Sequence, residues 1–181
     1  LARARPGELS FGSPGTGSLG HLRMLQFSAR HGIDLLHVPY SQLRWLIFDA
    51  MRGRLDVHAD NLLSALRYLG LGLLRPIGVM GRQRVPALPH VPTFAELGSD
   101  DLGDPAWFGI VAPAATPAQI IAGHHAAIVE ALDDPAIRSM LAPAGGEVAA
   151  SDPAQFAAEI AGTLQVFRGV VERMRTARRE P

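Results

Sequence analysis

The chain has 181 residues, 48% hydrophobic and 19% charged, which suits one domain or one and a half with a sizeable core. Basic and acidic residues balance at 17 each, so there is no concentrated positive surface of the kind nucleic acid requires. All the basic residues are arginine and there is no cysteine, which excludes Schiff-base and P-loop lysines, disulfides, thiolate catalysis and cysteine zinc sites.

In chain order, Glu8 to Gly12 reads as a short strand entering the glycine-rich stretch SFGSPGTGSLGHL. Ser18 to His31 has helical spacing, with Leu22, Leu25 and Ala29 on one face and Gly32 placed to end it. Asp34 to Val38 is an apolar strand broken by Pro39, and Gln42 to Arg52 a second helix closed by Gly53. Leu55 to Ala59 is a third strand, Asp60 and Asn61 form a capping pair, and Leu62 to Leu69 is a third helix. Pro76 to Met80 reads as a fourth strand. Short apolar strands alternating with helices of about ten residues define a parallel α/β sheet covered on both faces.

A different texture begins near Arg82. VPALPHVPTFAELG is a loop leading into a short helix, with Thr93 and Glu96 at capping-box spacing. WFGIVA, residues 107 to 112, reads as a strand. Thr116 caps a helix that has Pro117 at its first position and runs to about Leu132. Asp134 and Pro135 start a short helix, and Ser151, Asp152 and Pro153 a long one to about Arg178. Its basic end, Arg173, Arg175, Arg178 and Arg179, complements the helix dipole. The longest apolar stretch, Leu62 to Met80, is interrupted by Arg67, Gly70, Gly72, Arg75 and Pro76 and does not read as a membrane span. The opening LARARPGEL has no apolar signal-peptide region.

GTGSLG, Gly15 to Gly20, matches the dinucleotide fingerprint after a strand and before a helix. The acid that should end the second strand and hold the ribose is missing; Pro39 and Tyr40 stand there. No lysine follows the glycines, and neither Ser13 nor Ser18 has the flanking glycines of a nucleophile elbow. What remains is a helix N-terminus with close backbone access and the hydroxyls of Ser13, Thr16 and Ser18. Such a loop can hold a carboxylate, and it has no group for acid–base chemistry.

Ligands of open α/β sheets bind outside the carboxyl ends of the strands. The glycine loop, the Pro39–Tyr40 turn and the Asp60–Asn61 pair all fall there, so they can share one pocket edge. Asp60 can cap its helix and face a ligand together. The histidines have no metal-ligand spacing, since His124 and His125 point about 100° apart on a helix. His37 and His58, in strands, read as packed or hydrogen-bonded. No cofactor is expected.

Six segments carry a resemblance: FGSPGTGSLGHL, GIDLLHVPY, GRLDVHADNLLSAL, PALPHVPTFAELG, WFGIVAPAATP and LDDPAIRSMLAPAGGEVAASDPAQFAAEI. In this order they resemble the receptors of tripartite tricarboxylate transporters, the Bug-type periplasmic solute-binding proteins, from about Pro6 to Val171. The resemblance implies a two-lobed, type II periplasmic-binding-protein-like fold and a non-enzymatic receptor. It would capture a small carboxylate (a dicarboxylate, tricarboxylate, acidic amino acid or aromatic acid) for membrane transporter subunits. Ser13, Gly15, Thr16, Gly17, Ser18, Tyr40 and Asp60 are the expected ligand-binding residues, and the location is expected to be periplasmic.

Under this resemblance residues 8–106 form the second lobe, and residues 107–181 return to a first lobe whose earlier part, with its own carboxylate loop, is absent from the sequence. The apolar faces of WFGIVA and the last two helices are then expected to be exposed, and ligand binding by the chain alone weak or absent. Ser41 and Gln42 follow VPY where the family has Lys-Gly, and Arg44 and Trp45 are less typical. The alternatives are a nucleotide-binding oxidoreductase domain using GTGSLG and a non-binding remnant.

Overall fold

The computed structural model describes residues 1–81, 83–99, 102, 106–141 and 148–177. The side chains of Arg173 and Arg175, all of Arg178 and Arg179, and residues 142–147 of the last quoted segment lie outside that description. The chain divides into two compact units, residues 1–106 with 169–181, and residues 107–168.

The first unit is built on a parallel sheet of order β2-β1-β3, with β1 at Ser10–Ser13, β2 at Leu36–Pro39 and β3 at Val57–His58. Helices alternate with these strands: α1 at Leu19–His31, α2 at Leu43–Met51 and α3 at Leu62–Gly70. The α/β alternation read from the sequence is the one observed. β1 is central and pairs in parallel with both β2 and β3. Pro39 does not break β2 but ends it, opposite Ser13. Because β2 is an edge among the described strands, its missing N–H costs no ladder bond, and Tyr40 N–H resumes the ladder to the Ser13 carbonyl at 2.9 Å.

Sheet parity sorts the core. Gly12, Val38 and His58 share a register and one face. There Leu46 and Ile47 of α2 and Leu55 are buried together, with Val38, Tyr40, Leu43, Ala50, Met51 and Tyr68 packed around them. A Cβ on Gly12 would stand 2.7 Å from Leu55 Cδ1 and 3.2 Å from Leu46 Cγ, so a larger residue there would displace these core side chains. Phe11, on the opposite face toward α1, is 1% exposed.

Several boundaries differ from the sequence reading. Pro76 to Met80 is not a fourth strand. Only Val79 pairs, in an isolated parallel bridge to Thr93, with Val79 N–H to the Pro92 carbonyl at 3.0 Å and Phe94 N–H to the Val79 carbonyl at 2.9 Å. The Thr93–Glu96 box is present in both directions: Thr93 N–H to Glu96 Oε2 at 2.7 Å, and Glu96 N–H to Thr93 Oγ1 at 3.0 Å. It opens a single turn and not a helix, because Gly98 leaves the helical region at φ +81°. That turn is tied to α1 by the Phe27–Phe94 ring pair and by His31 Nε2 at 2.6 Å from Ser99 Oγ.

The second unit holds α4 at Ala118–Asp133, α5 at Pro135–Leu141 and the first part of α6, which spans Pro153–Ala177. Pro117, not Thr116, occupies the cap position of α4, and no side chain caps it. Asp152 caps α6: its Oδ1 accepts from the Ala154 and Gln155 amides at 2.8 Å, and its own amide donates to Gln155 Oε1 at 3.1 Å. Residues 107 to 112 form no regular element and pair with no strand among the described residues. Trp107 nevertheless meets the Phe156 ring edge-on at 5.0 Å and donates to Thr163 Oγ1 at 3.3 Å. Phe108, Ile110 and Val111 are about three-quarters exposed, and Ile120, Leu164 and Val166 about half.

Candidate functional site

The site grows from the sharp exit of β1. Gly15 and Gly17 take φ values of +128° and +84°, which only glycine adopts without strain, and the chain then enters α1 through Ser18. Ser18 Oγ accepts the His21 amide at 3.3 Å, the N-cap bond that the S-x-x-H spacing allows. Gly20 sits where a Cβ would lie 2.8 Å from the Ala59 carbonyl oxygen, so α1 begins in backbone contact with the end of β3. A Cβ on Gly15 would lie 4.0 Å from the Tyr40 carbonyl. The three segments picked out in the sequence thus meet at one sheet edge.

Hydrogen bonds sort the loop's donors. The first amides of a helix have no intrahelical acceptor and must find another. The Gly15 amide is taken by Ser13 Oγ at 3.2 Å and the Gly17 amide by His21 Nδ1 at 3.0 Å. The Ser18 amide goes to the Gly15 carbonyl at 3.1 Å. The amides of Thr16, Leu19 and Gly20 make no hydrogen bond among the described residues. The Ser18 hydroxyl, accepting as a cap, keeps its proton, and Thr16 is exposed. These groups converge on a helix N-terminus, where the dipole favours an anion.

Ser13 is different from the free hydroxyl donor expected of it. It is fully buried, and besides the Gly15 amide it has the Gly15 carbonyl at 3.0 Å and His37 Nε2 at 2.7 Å. Its bonding capacity is used in shaping the loop. Tyr40 likewise turns its hydroxyl to Asp49 Oδ2 at 2.9 Å, and Asp49 is held in turn by Arg54 at 3.2 Å. Burial, then the Asp49 carboxylate, pushes the Tyr40 phenol above its ordinary range. Tyr40 contributes its backbone to the edge, and its side chain to the α2 face.

Asp60 splits its carboxylate between two roles. Oδ1 accepts the Asn61 amide at 2.7 Å, whereas Oδ2 is buried with no partner among the described residues. Burial raises the Asp60 carboxyl above the usual range, against the Asn61 amide and His58, which lower it. Burial also lowers His58, although Asp60 opposes this. Asn61 stands at the cap position of α3 without a side-chain cap bond; its carbonyl accepts from Ser64 and Ala65 at 3.0 and 3.1 Å. Among the described residues no group of three or more His, Cys, Asp or Glu could hold a metal, and no helix is long and apolar enough to cross a membrane.

Two residues that contact the loop were not among the expected ligand-binding residues. His21 and His37 lie directly under it, and only their contacts across elements reveal this. Neither has a local sequence signal beyond its place after GTGSLG or before VPY.

An open parallel sheet whose central strand runs into a helix start with three amides unpartnered among the described residues has the chemistry to receive an anion. Residues 1–175 match the model of the tripartite tricarboxylate transporter family receptor, and the chain belongs to this family. It is similar to the protein BugT of Bordetella pertussis, 31% identical over 169 residues, 93% of this chain and 52% of the relative. It is also similar to two solved structures. One is an R. palustris protein with adipate, 29% identical with a TM-score of 0.84, covering 94% of this chain and 57% of that one. The other is MatC of Rhodopseudomonas palustris with bound malate, 27% identical with a TM-score of 0.76, covering 95% and 57%. The chain spans about half the length of most curated relatives it matches. The chain has the fold of part of a periplasmic solute-binding protein, and the family is one of receptors, not enzymes. The oxidoreductase reading of GTGSLG falls with that membership.

Proposed function

We propose that this chain is the loop-bearing part of a periplasmic receptor that captures a small carboxylate for a tripartite tricarboxylate-type transporter. In this reading the carboxylate sits at the α1 N-terminus, on the amides of Thr16, Leu19 and Gly20 and the Ser18 hydroxyl. Those unspent donors are the observation that carries the proposal. Gly15 and Gly17 shape the loop, Ser13 and Tyr40 brace it, and Asp60 Oδ2 offers an acceptor at the same edge. A buried acceptor without a partner costs about 1–3 kcal/mol, so a ligand that brings it a hydroxyl, ammonium or carboxylic acid proton is favoured. Structures with adipate and malate among the neighbours support dicarboxylates as the substrate class.

Residues 8–106 are proposed as the second lobe and residues 107–181 as a segment of the first. The partners are membrane transporter subunits, and the location is the periplasm. One lobe leaves the anion partly in water, so the chain alone binds weakly. Titrating the 15N-labelled chain with malate and adipate at millimolar concentration is expected to shift the Thr16, Leu19 and Gly20 amides saturably. Shifts confined to other regions, or tight binding in calorimetry, would overturn the reading.

A further inference from the structure

Three rings are stacked under the glycine loop on the α1 face of the sheet. The His37 ring lies 4.7 Å from Phe11 and 3.9 Å from His21, between centroids and within 23° of parallel. His21 is buried. Each imidazole reaches the loop through one atom: His21 Nδ1 accepts the Gly17 amide at 3.0 Å, and His37 Nε2 stands 2.7 Å from Ser13 Oγ, which itself accepts the Gly15 amide. The two glycines held in this way are the two with positive φ in the loop. An amide can only donate, so Nδ1 of His21 must carry a lone pair, and the proton of the neutral ring is on Nε2.

We infer that His21 and His37 are positioning residues of the carboxylate loop, and that His21 fulfils this role only as the neutral Nε2–H tautomer. The inference rests on the carboxylate reading of the loop. Protonating His21 turns its Nδ1 from an acceptor into a donor that faces the Gly17 amide. Protonating His37 leaves Nε2–H able to donate to Ser13, so the sensitivity to acid belongs to His21. Two imidazolium rings at 3.9 Å also repel each other. Burial lowers the basicity of His37.

β1 and β2 bring no charged residue to the stack. On β3, His58 is in register with Gly12 on the opposite face, and Asp60 follows two residues on. On α1 the neighbouring charge is Arg23, whose guanidinium donates to Gln26 Oε1 and to the Leu102 carbonyl.

Long-range 1H–15N imidazole spectra of the 15N-labelled chain test the inference without any ligand. At neutral pH His21 should show the Nε2–H tautomer. The Gly17 amide proton should move upfield in step with the protonation of His21 as the solution is acidified. A His21 ring protonated on Nδ1, or a Gly17 amide indifferent to that titration, overturns it. Malate supplies the second readout. His21→Asn, which keeps an acceptor oxygen and cannot titrate, should keep the malate-induced amide shifts and, without ligand, lose the acid-induced movement of the Gly17 amide. His21→Phe, which keeps the stack and loses the acceptor, should weaken malate binding roughly three- to tenfold. Binding by His21→Phe equal to the parent's would count against the inference. If neither malate nor adipate shifts the parent's loop amides, the carboxylate reading fails by itself, and the tautomer and the Gly17 titration still decide the role of His21.

Discussion

Replacing Gly20 with alanine tests the contact that joins the glycine loop to the end of β3. Gly20 is the second residue of α1, and a Cβ there would stand 2.8 Å from the Ala59 carbonyl oxygen and 3.6 Å from Pro14 Cδ. Ordinary contact begins near 3.4 Å, so the first distance is short by 0.6 Å, and the atom in the way is backbone. Forcing such an overlap costs about 1–3 kcal/mol. Alanine returns up to about 1 kcal/mol of helix propensity, less at a helix end. The expected net loss is about 1–2 kcal/mol, or a fall in Tm of about 2–8 °C. Urea unfolding followed by Trp45 fluorescence in a Trp107→Phe background reports on the first unit alone. A neutral or stabilised Gly20→Ala would show that α1 can slide off β3 and that the edge is not built by close backbone approach. Gly123, inside α4, supplies the opposite sign. Nothing lies within 4 Å of a Cβ there, so Gly123→Ala should stabilise that helix by about 0.5–1 kcal/mol.

Ser13→Ala removes a fully buried hydroxyl and strips the Gly15 amide and His37 Nε2 of their partner. Urea titration should show a loss of about 1–3 kcal/mol, and an unchanged midpoint would refute the bracing role. Glu96 is held down to about 2 from 4.5 by hydrogen bonds from the Arg84 side chain and then the Thr93 amide. A depressed folded value stabilises the protein above the unfolded value and is lost below it. Glu96→Ala should therefore be less stable than the parent at neutral pH, with the gap closing as pH falls from about 4.5 toward about 2; a constant gap counts against the linkage. Asp152→Ala removes the cap of α6 and should cost about 1 kcal/mol by thermal unfolding, with Asp152→Asn recovering most of it.

Local chemistry was readable from the sequence wherever it acts within a few residues. Gly32 ends α1 where expected, in the left-handed region at φ +58°, and Ser18, read as the first residue of the helical pattern, is its cap. The Asp152–Pro153 start and the Thr93–Glu96 box are likewise local. Strands were read less well because a strand is defined by its partner. Pro76 to Met80 and WFGIVA have strand composition, yet only Val79 makes a bridge, and residues 107 to 112 pair with nothing described.

The sequence by itself determined the α/β alternation, the family through its spaced motifs, and the position of three segments at the carboxyl ends of β1, β2 and β3. Only the tertiary structure decided which atoms at that edge remain available. Ser13 spends its hydroxyl inside the loop, Tyr40 turns to Asp49, and Asp60 keeps one oxygen unpartnered. The stack of His21 on His37 was out of reach for the same reason. The Ser13–His37 hydrogen bond and the His21–His37 ring contact join residues 24 and 16 apart in the chain, brought together by the register of β1 with β2 and the packing of α1 on the sheet.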